Sequence, residues 1–444
     1  MLLRKLRRRV PPGLYTYRTK EDGNIVLQLR VEDDGNGVLV VNANTVLYLN
    51  RTATAHVYFF MKGMSLEEAV KNIRKMFRVN KKRALEEHKK IVYTISTLAR
   101  TEEVCPISYL EIERVEPFSM KLSAPVRVDL ALTYRCQNNC IHCYAGGPRE
   151  TEELGTEDWK RIIDKLVSLG VFLATFTGGE PTLREDLPEL LRYAQEKGMV
   201  TGLITNGRRL KDMKYVRKLE SCGLDFVQVT LESHIPEIHD KITRSEGSWI
   251  DTVEGIKNTV PTQIYLTTNT TINRYNIDGI LDTVDFIYDL GVRVFGCNGL
   301  IYSGRGPMVA EEFGVEIDEL RKVLPEIRDK ARELRMKFVW YTPTRYCELN
   351  PVELDLGIKS CSAANITMCI GPRGEVYPCQ SYFESVGNIL RDRWKDIWNH
   401  ETCRYIRNRE YIPEMCEGCE LRNICGGGCP LEAKERPYIC VGMY

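Results

Sequence analysis

Cys136, Cys140 and Cys143 stand in C-x3-C-x2-C spacing, and three thiols so close in one loop constrain this chain more than any other feature. Ten further cysteines, Cys347, Cys361, Cys369, Cys379, Cys403, Cys416, Cys419, Cys425, Cys429 and Cys440, crowd its final quarter. The sequence has no run of ~18 uninterrupted apolar residues of the kind that spans a bilayer. Its basic N-terminal residues Arg4, Lys5, Arg7, Arg8 and Arg9 are not followed by the apolar stretch of a secretory signal. A cytoplasmic protein without a membrane contact is therefore expected. Reducing compartments rarely keep structural disulfides, and a thiol-rich protein there spends its cysteines on metals. Two metal regions follow. Cys105, Cys222 and Cys297 stand alone and read as small buried hydrophobes.

Composition excludes little else. At 444 residues the chain has room for two or three domains. Lys plus Arg (62) nearly cancels Asp plus Glu (61), so no bulk charge points to nucleic acid.

Residues 13–48 alternate apolar and polar positions around Asp-Gly and Asn-Gly turns, the pattern of hairpins. Ser65 with Glu68 marks a capped helix start, a second helix is expected over 81–98, and a returning strand over 109–115. Residues 1–120 thus read as a small α+β domain. From 126 onward, apolar strand runs alternate with helical periodicity six times, which predicts an α/β architecture with a parallel sheet, a partial (β/α)6 barrel of the TIM type, over 121–310. Chemistry in such sheets gathers after the carboxyl ends of the strands. Residues 311–338 read as a charged helical linker, and the tail to 444 is a cysteine-rich domain. Its weak periodicity leaves metal to supply folding energy that a core would otherwise provide.

The C-x3-C-x2-C loop follows directly on the first predicted barrel strand. Thiolates are the usual iron-sulfur ligands, and three of them on a four-iron cube leave one iron open. Gly178, Gly179, Glu180 and Pro181 follow the second strand, and Asn206 with Gly207 follow the third. In this order the motifs resemble those of the radical S-adenosylmethionine (SAM) superfamily. The resemblance implies a catalytic 4Fe-4S cluster on Cys136, Cys140 and Cys143, with SAM on the open iron. Gly178, Gly179 and Glu180 would receive the cofactor's ammonium group. Asn206 joins the cofactor-binding set, Thr230 and Glu232 would serve the ribose, and Arg244 would pair with the carboxylate. Asn298 is a further candidate for the adenine. His239 reads as a capping or packing residue.

Cys416-x2-Cys419-x5-Cys425-x3-Cys429, with Cys440 ten residues on, has zinc as its generic reading. Joined to Cys361, Gly374 and Cys379, it resembles the SPASM extension of radical SAM peptide-modifying enzymes, which implies two auxiliary iron-sulfur clusters. By that resemblance Cys416, Cys419, Cys425 and Cys440 hold the outer cluster, and Cys361, Cys379 and Cys429 the inner one. Cys347 is the first choice for the inner fourth ligand, Cys369 the second, and an open iron that accepts substrate the third.

Asn42, Ala43, Asn44, Thr45, Val46 and Leu47, with Met61 to Val70, resemble the winged-helix-like PqqD peptide chaperone of pyrroloquinoline-quinone biosynthesis. This implies a peptide or protein substrate, bound as an added strand on a sheet edge. The expected activity is that of a radical SAM/SPASM maturase, in which a 5'-deoxyadenosyl radical abstracts a substrate hydrogen and a ferredoxin- or flavodoxin-type donor supplies electrons. Two alternatives stay open. One is an enzyme acting on a tetrapyrrole or a metal-cofactor precursor, for example in maturing a tungsten oxidoreductase. The other is a zinc-stabilised binding module without catalysis.

Overall fold

The hairpin signals of the N-terminal segment produce an antiparallel meander. β1 (Gly13–Thr19), β2 (Ile25–Val31), β3 (Gly37–Val41) and β4 (Thr45–Leu49) pair in sequence order. The Asp33-Asp34-Gly35 turn closes between Glu32 and Asn36, whose backbones bond at 2.9 Å. This computed structural model describes residues 9–19, 25–41, 45–100 and 121–436. The strand expected over 109–115, Asn42 to Asn44, Cys105 and Cys440 lie outside those residues.

Three helices follow the meander. α1 (Arg51–Met61) is capped by Asn50, whose side chain accepts from Ala53. α2 (Leu66–Met76) starts at the expected Ser65–Glu68 capping box, and α3 runs over Lys81–Arg100. Leu27, Leu29, Leu39, Ala55, Val57, Ala69 and Ile73 fill the core between them.

By chain contacts the molecule divides into two compact units, Met1–Ala124 with Asp164–Phe172, and Pro125–Ile163 with Leu173–Tyr444. The second holds a nine-stranded sheet. Its six central strands are β5 (Arg127–Thr133), β6 (Leu173–Gly178), β7 (Val200–Thr205), β8 (Phe226–Thr230), β9 (Tyr265–Thr271) and β10 (Val294–Asn298). They run parallel in sequence order, as the alternation predicted. Leu130, Phe176, Leu203, Val229 and Phe295 are fully buried among them. Sequence-adjacent parallel strands need crossover helices. α4 (Thr156–Ser168), α5 (Leu187–Glu196), α6 (Met213–Ser221), α7 (Pro236–Thr243), α8 (Ser248–Thr259) and α9 (Ile280–Asp289) occupy those connections.

The linker is two helices, α10 (Gly306–Phe313) and α11 (Ile317–Glu333). The helix expected to continue to residue 338 stops earlier, because Arg335 takes a left-handed conformation with φ 54°. Lys337-Phe338-Val339-Trp340 then becomes β11, parallel to β10. On the opposite edge β12 (Thr367–Ile370) runs parallel to β5, and β13 (Val376–Tyr377) pairs antiparallel with β12. Tail residues thus extend the barrel sheet at both edges. Among the described residues no helix is long and apolar enough to cross a membrane.

Candidate active site

The loop after β5 carries Cys136, Cys140 and Cys143 and is held from several sides. Its Asn139 and Ile141 amides donate to the carbonyls of Thr243 and Ile242 at the end of α7, both at 2.9 Å. Arg305, just before α10, donates from Nη1 to the carbonyls of Asn139 and Cys140, both at 2.9 Å, and its own amide reaches Cys143 O at 3.1 Å. Ser303 Oγ lies 3.2 Å from Tyr144 O and 2.6 Å from Ser381 O, so it ties the thiol loop to the tail segment beside Cys379.

The turn after β6 explains its two glycines. Gly179 N donates to Thr133 O at 2.7 Å and Glu180 N to Arg135 O at 2.8 Å, which lays this turn on the backbone that leads into Cys136. A Cβ on Gly178 would stand 2.1 Å from Thr133 O, and one on Gly179 2.4 Å from Arg135 O. No side chain fits at either position.

Glu180 is fully buried. Its Oε1 accepts from Thr182 N (3.0 Å), Thr182 Oγ1 (2.6 Å) and Thr205 Oγ1 (2.8 Å), and its Oε2 accepts from Asn206 N (2.8 Å). It therefore fastens the β6 turn to the end of β7, with one lone pair of Oε2 left over. Asn206 Nδ2 lies 3.8 Å from Cys136 Sγ, which also receives the Asn138 amide at 3.4 Å.

Two connected cavities meet here. The smaller, about 140 Å³, is lined by Cys136, Cys140, Cys143, Gly178, Gly179, Asn206, Thr230 and Glu232 among others. The larger, about 390 Å³, shares His142, Tyr144, Thr230 and Glu232 with it and extends to Asn298, Cys361, Cys379 and Cys429. Buried Glu232 receives Thr271 N on Oε2 at 3.0 Å, while its own amide donates to His239 Nδ1 at 3.1 Å. Burial holds His239 down, to about 4, so it is a neutral acceptor that fixes the end of β8. His142 Nε2 stands 3.3 Å from Glu232 Oε1, and the imidazole stacks on Phe313 with centroids 5.0 Å apart.

Comparison with known proteins bears on what this loop holds. The profile of the Radical SAM superfamily matches residues 130–287, and that of an iron-sulfur cluster-binding domain, SPASM, matches residues 361–420. The Fe-coproporphyrin III synthase of Methanosarcina barkeri is 30% identical over 335 residues, which cover 68% of this chain and 82% of that protein. The chain belongs to the radical SAM superfamily. A PqqA peptide cyclase from Ruegeria pomeroyi is 28% identical, over 71% of this chain and 84% of its own length. In fold, the chain resembles Streptococcus suis SuiB bound to the precursor peptide SuiA, with a TM-score of 0.70 at 17% identity over 95% of this chain and 97% of the other. It is a SAM-cleaving iron-sulfur enzyme with a SPASM extension, and the family's cofactors are a 4Fe-4S cluster, SAM and auxiliary iron-sulfur clusters.

The thiols of this radical SAM protein fit such groups. Burial pushes Cys136 up to about 12, with Glu180 and Cys143 adding to the effect. Cys140 is driven well above its ordinary range by burial, Glu232 and the other two thiols. Deprotonating all of them in so anionic a setting requires a strongly cationic partner, which iron supplies. In the tail, burial raises Cys361 with Cys429 and Cys379 contributing, and raises Cys416 with Cys419 and Cys425 contributing. Two separate thiol groups result, inner and outer.

Four expected placements differ. Glu180 is fully buried and lines neither cavity, so it stands behind the wall. Cys347 does not line the cavity with Cys361, Cys379 and Cys429, and it follows Tyr346, whose amide lies 3.4 Å from Cys425 Sγ in the outer group. Cys369 is buried on β12, packed with Ala131, Tyr134 and Ala145, and does not line the cavity. Arg244 caps α7 in a left-handed conformation, φ 51°, with its side chain exposed, and lines neither cavity. Cys222, Cys297 and Cys403 are buried, as lone cysteines should be. Sequence reasoning passed over His142 and assigned Arg305 to no site. His142 was available as the one ring inside the thiol motif, whereas the Arg305 contacts cross more than 160 residues.

Proposed function

We propose that this enzyme is a peptide maturase, with Cys136, Cys140 and Cys143 holding the catalytic cluster and Gly178, Gly179, Asn206, Thr230 and Glu232 lining the SAM site. The observation that carries the peptide reading is the extent of the fold likeness. It covers 95% of the chain against a structure with bound precursor peptide, and so takes in the N-terminal sheet and helices that precede the residues matched by the superfamily profile. A protein named for cyclising a peptide lies among the sequence relatives. In this reading residues 1–120 hold a leader segment as an added strand, 121–310 carry the radical chemistry and 311–444 the auxiliary clusters. One edge of β1 and one of β4 are free to accept such a strand among the described residues.

When bound, the reduced cluster and SAM supply a 5'-deoxyadenosyl radical that takes a hydrogen atom from the substrate. The chain's own work is placement. Arg305 and the α7 carbonyls fix the thiol loop, and the Gly178-Gly179 turn brings a bare backbone to the cofactor's methionine end. Glu180, bonded to Thr182, Thr205 and Asn206, would act from behind this wall by holding the turn against the end of β7. Glu232, held by Thr271 and by the His239 contact at its amide, would offer its carboxylate to the ribose hydroxyls. The wall shared by the two cavities sets the substrate against the deoxyadenosyl carbon and keeps water out. Cys361, Cys379 and Cys429, which line the larger cavity, would hold the inner cluster, which could accept an electron from the substrate, and a ferredoxin- or flavodoxin-type protein would reduce the enzyme.

The 30% identical relative is named for a tetrapyrrole product, which makes a tetrapyrrole the rival substrate. After anaerobic reconstitution and reduction, about twelve irons per chain and 5'-deoxyadenosine formation stimulated by a leader-bearing peptide encoded beside the gene support the proposal. Stimulation by coproporphyrin III instead of any peptide overturns it.

A further inference from the structure

α10 meets the thiol loop at both of its ends. Arg305, which caps its start, donates to the carbonyls of Asn139 and Cys140. Phe313, its last residue, is stacked on the His142 imidazole, with centroids 5.0 Å apart and planes 14° from parallel. Phe313 is 1% exposed, and further groups brace it. Tyr275 meets it edge-on at 5.9 Å, and Lys241 Nζ of α7 stands 3.8 Å from the centre of the Tyr275 ring. The Arg274 amide donates to Phe313 O at 3.1 Å, which fixes the backbone that carries the ring.

His142 is the inner end of this stack, and it lines both cavities together with Tyr144, Ile204, Thr230 and Glu232. Its Nε2 lies 3.3 Å from Glu232 Oε1, while its Nδ1 has no hydrogen-bond partner among the described residues. A ring with one polar contact can turn about its own axis, because that torsion is broad for imidazoles. Covering its face with a second ring removes this freedom. A binding site needs such locking by packing, since a wall that turns does not select one pose.

We infer that Phe313 is a positioning residue for SAM, which holds the His142 ring in the plane that walls the two cavities and keeps it against Glu232. The inference rests on the SAM-site reading above and adds to it a residue that lines neither cavity.

The test is calorimetric titration of SAM into the reconstituted enzyme with its clusters oxidised, and iron content is measured for every variant. A stacked aromatic pair corresponds to about a twofold to tenfold change in affinity. Phe313→Leu should weaken SAM binding by that factor with iron unchanged. In a His142→Leu background it should cost nothing further, because the ring it holds is gone. Phe313→Tyr, which restores a ring, should restore the affinity even where its buried hydroxyl lowers the unfolding midpoint. A Phe313→Leu enzyme that binds SAM as the wild type does overturns the inference. So does an equal loss with and without His142, the mark of a general effect on the fold. Where Phe313→Leu does not hold its iron, Tyr275→Leu decides on the same two criteria, since Tyr275 packs on Phe313 and is only half-buried. Glu232→Ala separates the inference from the reading beneath it. Retained affinity in both Glu232→Ala and His142→Leu overturns the SAM site itself, whereas loss in Glu232→Ala with an unaffected Phe313→Leu overturns only the part played by Phe313.

Discussion

Cys136, Cys140 and Cys143 sit on a loop bonded on several sides to the barrel, whereas Cys416, Cys419 and Cys425 sit on a more exposed segment that Arg409 and Ser360 hold only at its carboxyl end. The first loop leaves a buried parallel strand, is bonded to the end of α7, and is gripped by Arg305. The second lies among short turns. Its short helix, Arg422–Cys425, buries none of its four residues, Cys419 is exposed, and Met415 is 54% exposed. A site preorganised by its fold can release and rebind a cofactor without collapsing, while a segment poor in core depends on its metal for structure. Catalysis at the first site needs the former property, and a permanent cluster tolerates the latter.

The sharpest way to break this contrast is to replace Cys136, Cys140 and Cys143 together with alanine. The expected loss is about four irons and all 5'-deoxyadenosine formation, with the thermal unfolding midpoint of the barrel moved by no more than a few degrees. A barrel that unfolds on this change would show that its loop, like the tail, depends on metal. The next effect in size comes from stripping iron with a chelator under reducing conditions. Amide hydrogen exchange should then rise by orders of magnitude over residues 409–436 and stay slow in β5 to β8. Equal acceleration in both regions would erase the distinction.

The contrast also explains what could be read from sequence. β5 to β10 were legible because each pairs a short apolar run with a following helix, and the functional turns fall where a parallel sheet must place them. The Gly178-Gly179 pair was legible because such close backbone approach tolerates no side chain. Lys337–Trp340 was not: nothing in four residues announces a strand that pairs with one already assigned to the barrel, and the break at Arg335 has no glycine to mark it. Cys347 was misplaced because spacing along the chain carries no information on which of two neighbouring thiol groups a turn will approach. Arg244 differs for a local reason: it caps α7 in a left-handed conformation, is exposed and lines neither cavity.

A smaller effect tests how the barrel wall is held. His239 has its proton affinity lowered from the ordinary 6.5 to about 4, mainly by burial, while Nδ1 accepts the Glu232 amide. The unfolded chain therefore takes up a proton that the folded barrel refuses, and stability is lost as pH falls from about 6.5 toward 4. By pH 5 the loss attributable to this residue is about 2 kcal/mol. Urea unfolding of wild type and His239→Gln at pH 7.5 and pH 5 measures it. The gap between the two proteins should narrow by that amount on acidification, and a constant gap would mean that His239 takes up its proton as readily in the folded barrel as in the unfolded chain.

The smallest expected effect decides which thiols belong to the inner cluster. Cys361, Cys379 and Cys429 share one cavity wall, whereas Cys347 does not line it and its neighbour Tyr346 contacts Cys425. Cys379→Ala should therefore cost about four irons per chain, and Cys347→Ala should leave the iron attributable to the inner cluster, and its electron paramagnetic resonance signal, unchanged. Loss of the inner signal in Cys347→Ala would make that residue its fourth ligand. The loop at 344–347 would then have to shift from Cys425 toward Cys361 when metal binds. The tail would be two clusters exchanging one ligand loop, rather than an inner site built into the barrel wall beside an outer one that folds around its iron.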